Sequence, residues 1–146
     1  MLHIAQFFAA ISCAIFAGAA IYINLVEHPA RMSCGTQIAA MVWAPSYKRA
    51  TVMQAPLAIV SFIAGVLAWS FGGGIMWFAG AILIGLVVPF TFIMIMPTNH
   101  KLLAIDRDLA SSETRDLLIT WSRLHAVRSL LSLLSLVVYL ILLLRY

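Results

Sequence analysis

Four charged or titratable residues lie at the ends of long apolar stretches, where few other residues are polar. Glu27 and His28 close the first stretch, whereas His125 and Arg128 stand where the last one opens. An imidazole or a carboxylate can act as a general base, and a guanidinium can stabilise a developing oxyanion. We therefore expect His125, Glu27 and Arg128 to be catalytic. His125 or Glu27 would act as the general base, and Arg128, with Asn99 or Trp121, would stabilise the developing oxyanion.

The same residue types fit two other uses. Imidazole and carboxylate groups are ligands of zinc, iron and copper, so His28, His125 and Glu27 are an alternative metal site. Their spacing matches no recognised metal motif, and Arg128, one turn from His125, would repel a cation. The cofactor therefore stays open between none and a transition metal. In the plainest alternative, Glu27 and Arg128 form an ion pair that only holds the helices together.

The composition places these residues in a lipid bilayer. The chain has 146 residues, 64% of them hydrophobic and 10% charged, and its mean hydropathy is +1.04. Soluble domains are nearer half apolar and a quarter charged. The net charge of +4 is read by position relative to the membrane, not as affinity for nucleic acid. The expected partners are the bilayer and a small hydrophobic molecule, without nucleic acid, and a homo-oligomer is left open.

Four apolar runs are each long enough to cross a hydrocarbon core, which needs roughly 20 residues. They cover about 4–26, 52–71, 75–96 and 127–144, the last on a helix predicted to begin near 113. The segment HKLLAIDRDLA before it predicts a short interfacial helix, with an ordinary loop as the alternative. The prediction for 1–146 is one transmembrane domain with an all-α fold, a four-helix membrane bundle.

Positive charge is concentrated on one side of these runs. Eight of the nine Lys and Arg residues lie in or beside the two longer connections, and only Arg145 lies on the other side. The positive-inside rule places the loop-rich face in the cytoplasm. We therefore expect a multi-pass protein of the cell membrane with both termini outside the cytoplasm.

Small and polar residues recur every three or four positions along the spans, which places each set on one helix face. Membrane helices associate through such faces, so we expect these to point into a bundle. The set in the first span is Gln6, Ala10, Cys13, Ala17, Ala20, Asn24 and Glu27. Those in the second and fourth are Tyr47, Thr51, Gln54, Ala58, Ser61, Gly65 and Ala68, and Trp121, His125, Arg128, Ser132, Ser135 and Tyr139. The third span has a less clear set, with a kink predicted at Pro89: Gly85, Pro89, Phe92, Met96 and Asn99.

Most of the polar members lie in the loop-side half of the spans, which predicts a pocket open toward the loop-rich face. Asn99, Trp121 and Tyr47 are expected to bind the ligand or cofactor there. Each half of the chain also has a proline at a helix exit and then a tryptophan, followed four residues later by Tyr47 or His125. This pattern predicts two pseudo-repeated helical hairpins.

Four motifs carry a resemblance to a known family: EHPA, a Trp…Tyr pair, PFT…PTN and W-x3-H-x2-R. Together they resemble the anthrone-oxygenase-like family of small four-span membrane proteins, in which fungal members are linked to the oxidation of anthrones to anthraquinones by molecular oxygen. The resemblance implies these site positions: His28, Asn99, Trp121, His125 and Arg128.

The resemblance favours a membrane-embedded oxygenase or oxidoreductase that acts on a hydrophobic aromatic or enolisable substrate at the loop-rich face. Two other functions stay open. One is a non-catalytic membrane protein that binds a metal, haem or quinone, and the other is a structural membrane subunit. A bound metal or chromophore would favour the first of these, and a closed, ion-paired polar cluster without a cavity would favour the second.

Overall fold

Four long helices make up the computed structural model, which describes residues 1–145; Tyr146, the last residue of the predicted domain, lies outside the described residues. Each helix is long and apolar enough to cross a membrane, so the predicted all-α, four-span fold is confirmed. The helices have 32, 38, 28 and 32 residues and are α1 (Leu2–Ser33), α2 (Thr36–Gly73), α3 (Ile75–Leu102) and α4 (Ser112–Leu143).

Two of the three connections are very short. Cys34 and Gly35 join α1 to α2, and Gly74 alone joins α2 to α3. Gly35 and Gly74 have φ angles of 93° and 90°, which side-chain-bearing residues rarely adopt. The third connection, 103–111, consists of turns, so the interfacial helix expected there is wrong and the loop alternative is right. Arg107 donates to the Lys101 carbonyl and to the Glu113 carboxylate, and the Asp108 carboxylate accepts the Ala110 N–H.

The helices form a ring in chain order, because α1 and α3 each pack on both α2 and α4. An apolar cluster around Phe16, Trp77 and Tyr139 fills the half of the bundle near the termini. A second cluster, around Trp43 and Trp121, fills the loop-side half. The polar residues of interest lie in and beside this second cluster.

The predicted inner faces of α1, α2 and α4 are largely buried. Ser61 of α2 and Ser132 of α4 are fully buried, and the small residues between them allow close helix contact. A Cβ added to Gly65 would lie 2.2 Å from the Tyr139 hydroxyl oxygen, so only glycine fits there. The face predicted for α3 is wrong at Pro89 and Phe92, which are exposed, whereas its last member, Asn99, is buried. The buried side of α3 instead carries Trp77, Ala81, Ile84, Val87 and Ile95.

Wide π-helical turns interrupt α1 and α3, and a single residue separates each turn from a proline. The turns are Ile23–Glu27, before Pro29, and Thr91–Ile95, before Pro97. Proline lacks a backbone N–H and its ring crowds the preceding turn, so the regular hydrogen-bond ladder cannot continue. The two helix exits thus share one local geometry, a π-helical turn before a proline.

Helices α2 and α4 begin well before their apolar runs. Helix α2 begins at Thr36, so Trp43 and Tyr47 lie one turn apart on a helix and not in a loop. Helix α4 begins at Ser112, and its N-cap is Ser111, whose hydroxyl accepts the Thr114 N–H at 3.1 Å. These early starts place the aromatic residues of both helices at the same end of the bundle.

Candidate functional site

His125 is buried on α4, and Asn24 of α1 fixes its orientation. Its Nδ1 lies 2.7 Å from the Asn24 Oδ1, and the Ser129 hydroxyl donates to the same oxygen at 2.6 Å. The Asn24 Nδ2 donates to the Ser122 carbonyl at 3.0 Å. Since a carbonyl can only accept, the amide has one orientation and its oxygen faces the imidazole. A neutral His125 therefore carries its proton on Nδ1 and keeps the Nε2 lone pair available as a base.

The π-helical turn of α1 explains how Asn24 reaches α4. Asn24 lies inside the turn Ile23–Glu27, and all three of its hydrogen-bond partners belong to α4. A wide turn contains one residue more than a regular turn, which changes the direction of the side chains that follow. This local irregularity brings His28 inward at 4% exposure and leaves Glu27 at the side of the bundle.

Trp121 lies at the centre of a group of rings in the loop-side half. Its indole lies 4.9 Å from the His125 ring and 5.3 Å from the His28 ring, measured between centroids. The Trp43 ring meets it edge-on at 5.8 Å, and Tyr47 stacks on Trp43 at 5.1 Å. The two imidazole rings therefore share one aromatic neighbour and lie close enough to belong to one small site.

Arg128 brings a positive charge into an apolar part of the bundle. One Nη donates to the Gln54 Oε1 at 2.9 Å, and the guanidinium carbon lies 5.5 Å from the centre of the Phe16 ring. Its Nε is buried and has no hydrogen-bond partner within residues 1–145. The guanidinium is thus held in place by α1 and α2 and still has a donor available for a ligand.

Two cavities meet at Arg128, Tyr47 and Thr51, which line both of them. One is a polar cavity of about 10 Å³ that also contacts His125 and Trp121. This volume has room for about one water molecule. The other, called here the apolar pocket, has a volume of about 100 Å³. Its remaining lining residues are Phe16, Ala55, Ala58, Val87, Val88, Thr91, Phe92 and Met96.

Glu27 does not face His125 or Arg128. Its carboxylate forms an ion pair with Arg31 at 2.5 Å and accepts a hydrogen bond from the Ser46 hydroxyl. The alternative of a Glu27–Arg128 ion pair is therefore wrong, because the guanidinium of Arg128 bonds to an amide instead. Among residues 1–145, no three His, Cys, Asp or Glu side chains are grouped so that they could hold a metal ion. Glu27, His28 and His125 are thus not brought together as ligands.

Asn99 and Tyr47 have different relations to the site. Tyr47 lines both cavities, and its hydroxyl lies 4.0 Å from the Met96 sulfur. Asn99 is fully buried, and neither atom of its amide has a hydrogen-bond partner in the described part of the chain. It lies near this group of residues along α3 but lines neither cavity.

Three residues of this arrangement received no role from the sequence. Asn24 was included only as a member of the predicted face of α1, Gln54 only as a member of that of α2, and Ser129 not at all. Ser129 follows His125 by four residues, about one helical turn. This spacing could have predicted that both residues lie on one face of α4. No local spacing connects Gln54 to Arg128 or Asn24 to His125, because these pairs come from different helices.

Comparisons with known proteins connect the chain to one family. A family described as anthrone oxygenase matches residues 43–138, which include Tyr47, Asn99, Trp121, His125 and Arg128. The anthrone oxygenase tpcL of Aspergillus fumigatus is 28% identical over 142 residues, covering 90% of this chain and 88% of that protein. No solved structure matches the chain. The resemblance predicted from the motifs is confirmed.

Proposed function

The chain belongs to the anthrone oxygenase family, and on that premise we propose that it is a membrane-embedded oxygenase that acts on a hydrophobic, enolisable aromatic ketone of the anthrone type. The observation that carries the proposal is the position of Arg128, which lines both the apolar pocket and the polar cavity of His125. An aromatic ketone fits an apolar lining, and its oxygen, negative once the ketone is deprotonated, fits the guanidinium.

His125 is the base in this proposal. Its Nε2 receives the proton from the ring CH2 group of the substrate, while Asn24 keeps the other ring proton on Nδ1. The cavity between His125 and Arg128 has room for about one water, so the proton passes through one water molecule. The enolate oxygen binds Arg128, whose guanidinium Gln54 holds in position.

Molecular oxygen is the oxidant. The enolate carbon forms a C–O bond to O2, and protonation gives a hydroperoxide. Cleavage of the O–O bond and loss of the remaining C–H proton release water and leave a second ketone. The CH2 group loses four electrons in all, one oxygen atom enters the product and the other leaves as water. The balanced reaction is anthrone plus O2 to anthraquinone plus water, and no further reductant is needed.

The test is oxygen uptake by the purified protein in lipid nanodiscs supplied with anthrone, with empty nanodiscs measuring the uncatalysed reaction. We expect His125→Ala to lower the rate by roughly 10²–10⁴, the usual contribution of a general base. Ser132→Ala is the matched control. Ser132 lies on the same helix and is fully buried. Within residues 1–145, its hydroxyl bonds the Ser129 carbonyl alone, at 3.0 Å.

An anaerobic measurement separates catalysis from mere binding. With O2 removed, the wild type should accumulate the coloured enolate of anthrone, and His125→Ala should bind anthrone without the colour. Binding without enolate or oxygen uptake in the wild type would refute the proposal in favour of a non-catalytic binding protein. A His125→Ala protein that melts at lower temperature but turns over normally would leave His125 only a structural role.

A further inference from the structure

An apolar groove lies between α2 and α3, directly beside the apolar pocket. Its volume is about 490 Å³, and it shares two lining residues, Ala58 and Val88, with the pocket. Every residue that lines it is apolar, and several of the side chains are exposed on the outer surface of the bundle. The other lining residues are Ile59, Phe62, Ile63, Ile82, Gly85, Leu86 and Pro89.

The backbone of α3 produces this concave surface. Regular helix stops at Gly85, since Pro89 four residues later cannot donate to its carbonyl. Gly85 has no side chain, and Phe62 of α2 occupies the space, so that an added Cβ would lie 2.7 Å from a Phe62 ring carbon. The groove is therefore a consequence of a glycine and a proline on one turn of α3.

The two spaces that Arg128 lines differ in volume from each other and from the groove. The polar cavity on the loop side has about 10 Å³, which admits water but not an aromatic ring. The apolar pocket, with about 100 Å³, is smaller than the roughly 300–1,000 Å³ typical of ligand sites. The groove, with about 490 Å³, lies within that range and borders the pocket at Ala58 and Val88.

We propose that the α2–α3 groove is the entry and binding surface for the substrate, which arrives laterally from the bilayer. A planar aromatic ketone dissolved among the acyl chains binds with its apolar rings in the groove and its oxygen toward Arg128. The charge pattern sets this direction, because the groove lining is apolar and the guanidinium of Arg128 lines the neighbouring apolar pocket. Protons and water use the polar cavity on the loop side. The assignment rests on the proposed function for the identity of the ligand.

A thiol-protection experiment tests occupancy of the groove without any turnover. Ile59 lines the groove and is 50% exposed, whereas its neighbour Val60 is 43% exposed and does not line it. Ile59→Cys and Val60→Cys are made in a Cys34→Ser background, since Cys34 is exposed and the other native thiol is buried. Both variants are treated with a bilayer-soluble pyrene maleimide in nanodiscs, with and without anthraquinone as the probe ligand.

We expect anthraquinone at ten times its dissociation constant to slow labelling of Cys at position 59 about tenfold and to leave position 60 unchanged. Leu86→Cys on the α3 wall, 45% exposed, should behave as Ile59→Cys does. Equal protection at all positions, or protection at none, would overturn the proposal, because the groove would then hold only acyl chains.

A turnover experiment then separates the groove from the proposed function. Ile59→Trp fills the groove and should raise the KM for anthrone several-fold with kcat retained, while Val60→Trp should change neither. Varying the lipid content at fixed total anthrone should show that the rate follows the mole fraction in the bilayer. If Ile59→Trp leaves oxygen uptake unchanged and anthraquinone protects no thiol, the groove proposal is refuted and the oxygenase proposal is retained. If anthraquinone protects the thiols in the groove but the protein takes up no oxygen, the oxygenase proposal is refuted and the groove remains a ligand-binding surface.

Discussion

Asn24→Ala is the substitution that tests the geometry around His125 most directly. It deletes three hydrogen bonds, two to the Asn24 Oδ1 and one from its Nδ2. The Ser129 hydroxyl has a second acceptor in the His125 carbonyl, 3.5 Å away. The Ser122 carbonyl lies inside α4, where the helix backbone supplies another hydrogen-bond donor. The Nδ1–H of His125 is thus the one group left without a partner.

This accounting gives an expected size for each effect. One orphaned, buried donor should lower the free energy of unfolding by about 1–3 kcal/mol. The effect on catalysis should be larger, because the freed imidazole can rotate or carry its proton on Nε2, where the lone pair is needed. We expect kcat to fall by a large part of the roughly 10²–10⁴ that a general base contributes.

Three measurements are needed to separate these effects. Oxygen uptake gives kcat, the melting temperature in detergent gives stability, and ¹⁵N NMR of histidine-labelled protein reports which nitrogen of His125 carries the proton. Asn24→Asp keeps an acceptor for Nδ1 and should retain the Nδ1 proton. Ser129→Ala removes only the second donor and should leave kcat within a few-fold of the wild type.

Two results would refute this reasoning. If Asn24→Ala lowered the melting temperature as expected but left kcat and the histidine spectrum unchanged, the tautomer would not depend on Asn24. If Ser129→Ala reduced kcat as strongly as Asn24→Ala, packing of the whole network, and not the amide oxygen, would be responsible.

Four further predictions follow from other parts of the structure. Arg128→Gln should lower kcat by about 10²–10³, the usual loss for an oxyanion donor, while the exposed Arg123→Gln should have no effect on oxygen uptake. Glu27→Gln should lower the melting temperature, because its buried arginine partner loses its ion pair, with kcat unchanged within error in the same preparation. Gly80→Ala places a Cβ 2.5 Å from the Tyr139 ring. The free energy of unfolding in detergent should therefore fall by about 1–3 kcal/mol, while the folded fraction keeps its specific activity. Reporters fused to either terminus should be active outside the cytoplasm; activity only inside it would contradict the positive-inside assignment.

Hydropathy was sufficient to predict the four helices, because a bilayer requires long, continuous apolar segments. The small and polar faces of α1, α2 and α4 were also predictable, since regular helices repeat every 3.6 residues. His125, Arg128 and Trp121 could be selected because burying polar groups in a membrane costs free energy and therefore indicates a function. These rules predict the depth of each residue in the membrane and, where the helix is regular, the helix face on which the residue lies.

The errors arose where helices were irregular or where partners came from another helix. Glu27 was assigned to the inner face of α1 by extending a regular period through 23–27, but the π-helical turn adds a residue and makes His28 the inward one. In α3, Pro89 and Phe92 of the predicted face point outward, because regular helix stops at Gly85 and a π-helical turn follows at Thr91–Ile95. The choice of Gln54 rather than Glu27 as the partner of Arg128 depends on packing between helices, which no local spacing encodes.

The early start of α2 carries part of that helix beyond the hydrocarbon core. At about 1.5 Å per residue, its regular segment Thr36–Ala68 extends about 50 Å, whereas a hydrocarbon core is about 30 Å thick. The apolar runs of α2 and α3, about 52–71 and 75–96, are nearly equal in length, so one bilayer thickness matches both helices. The excess length of α2 therefore lies on the loop side and carries Lys48 and Arg49. A change in the acyl-chain length of the host membrane thus acts on both helices alike, and the polar start of α2 remains among the lipid headgroups or in water.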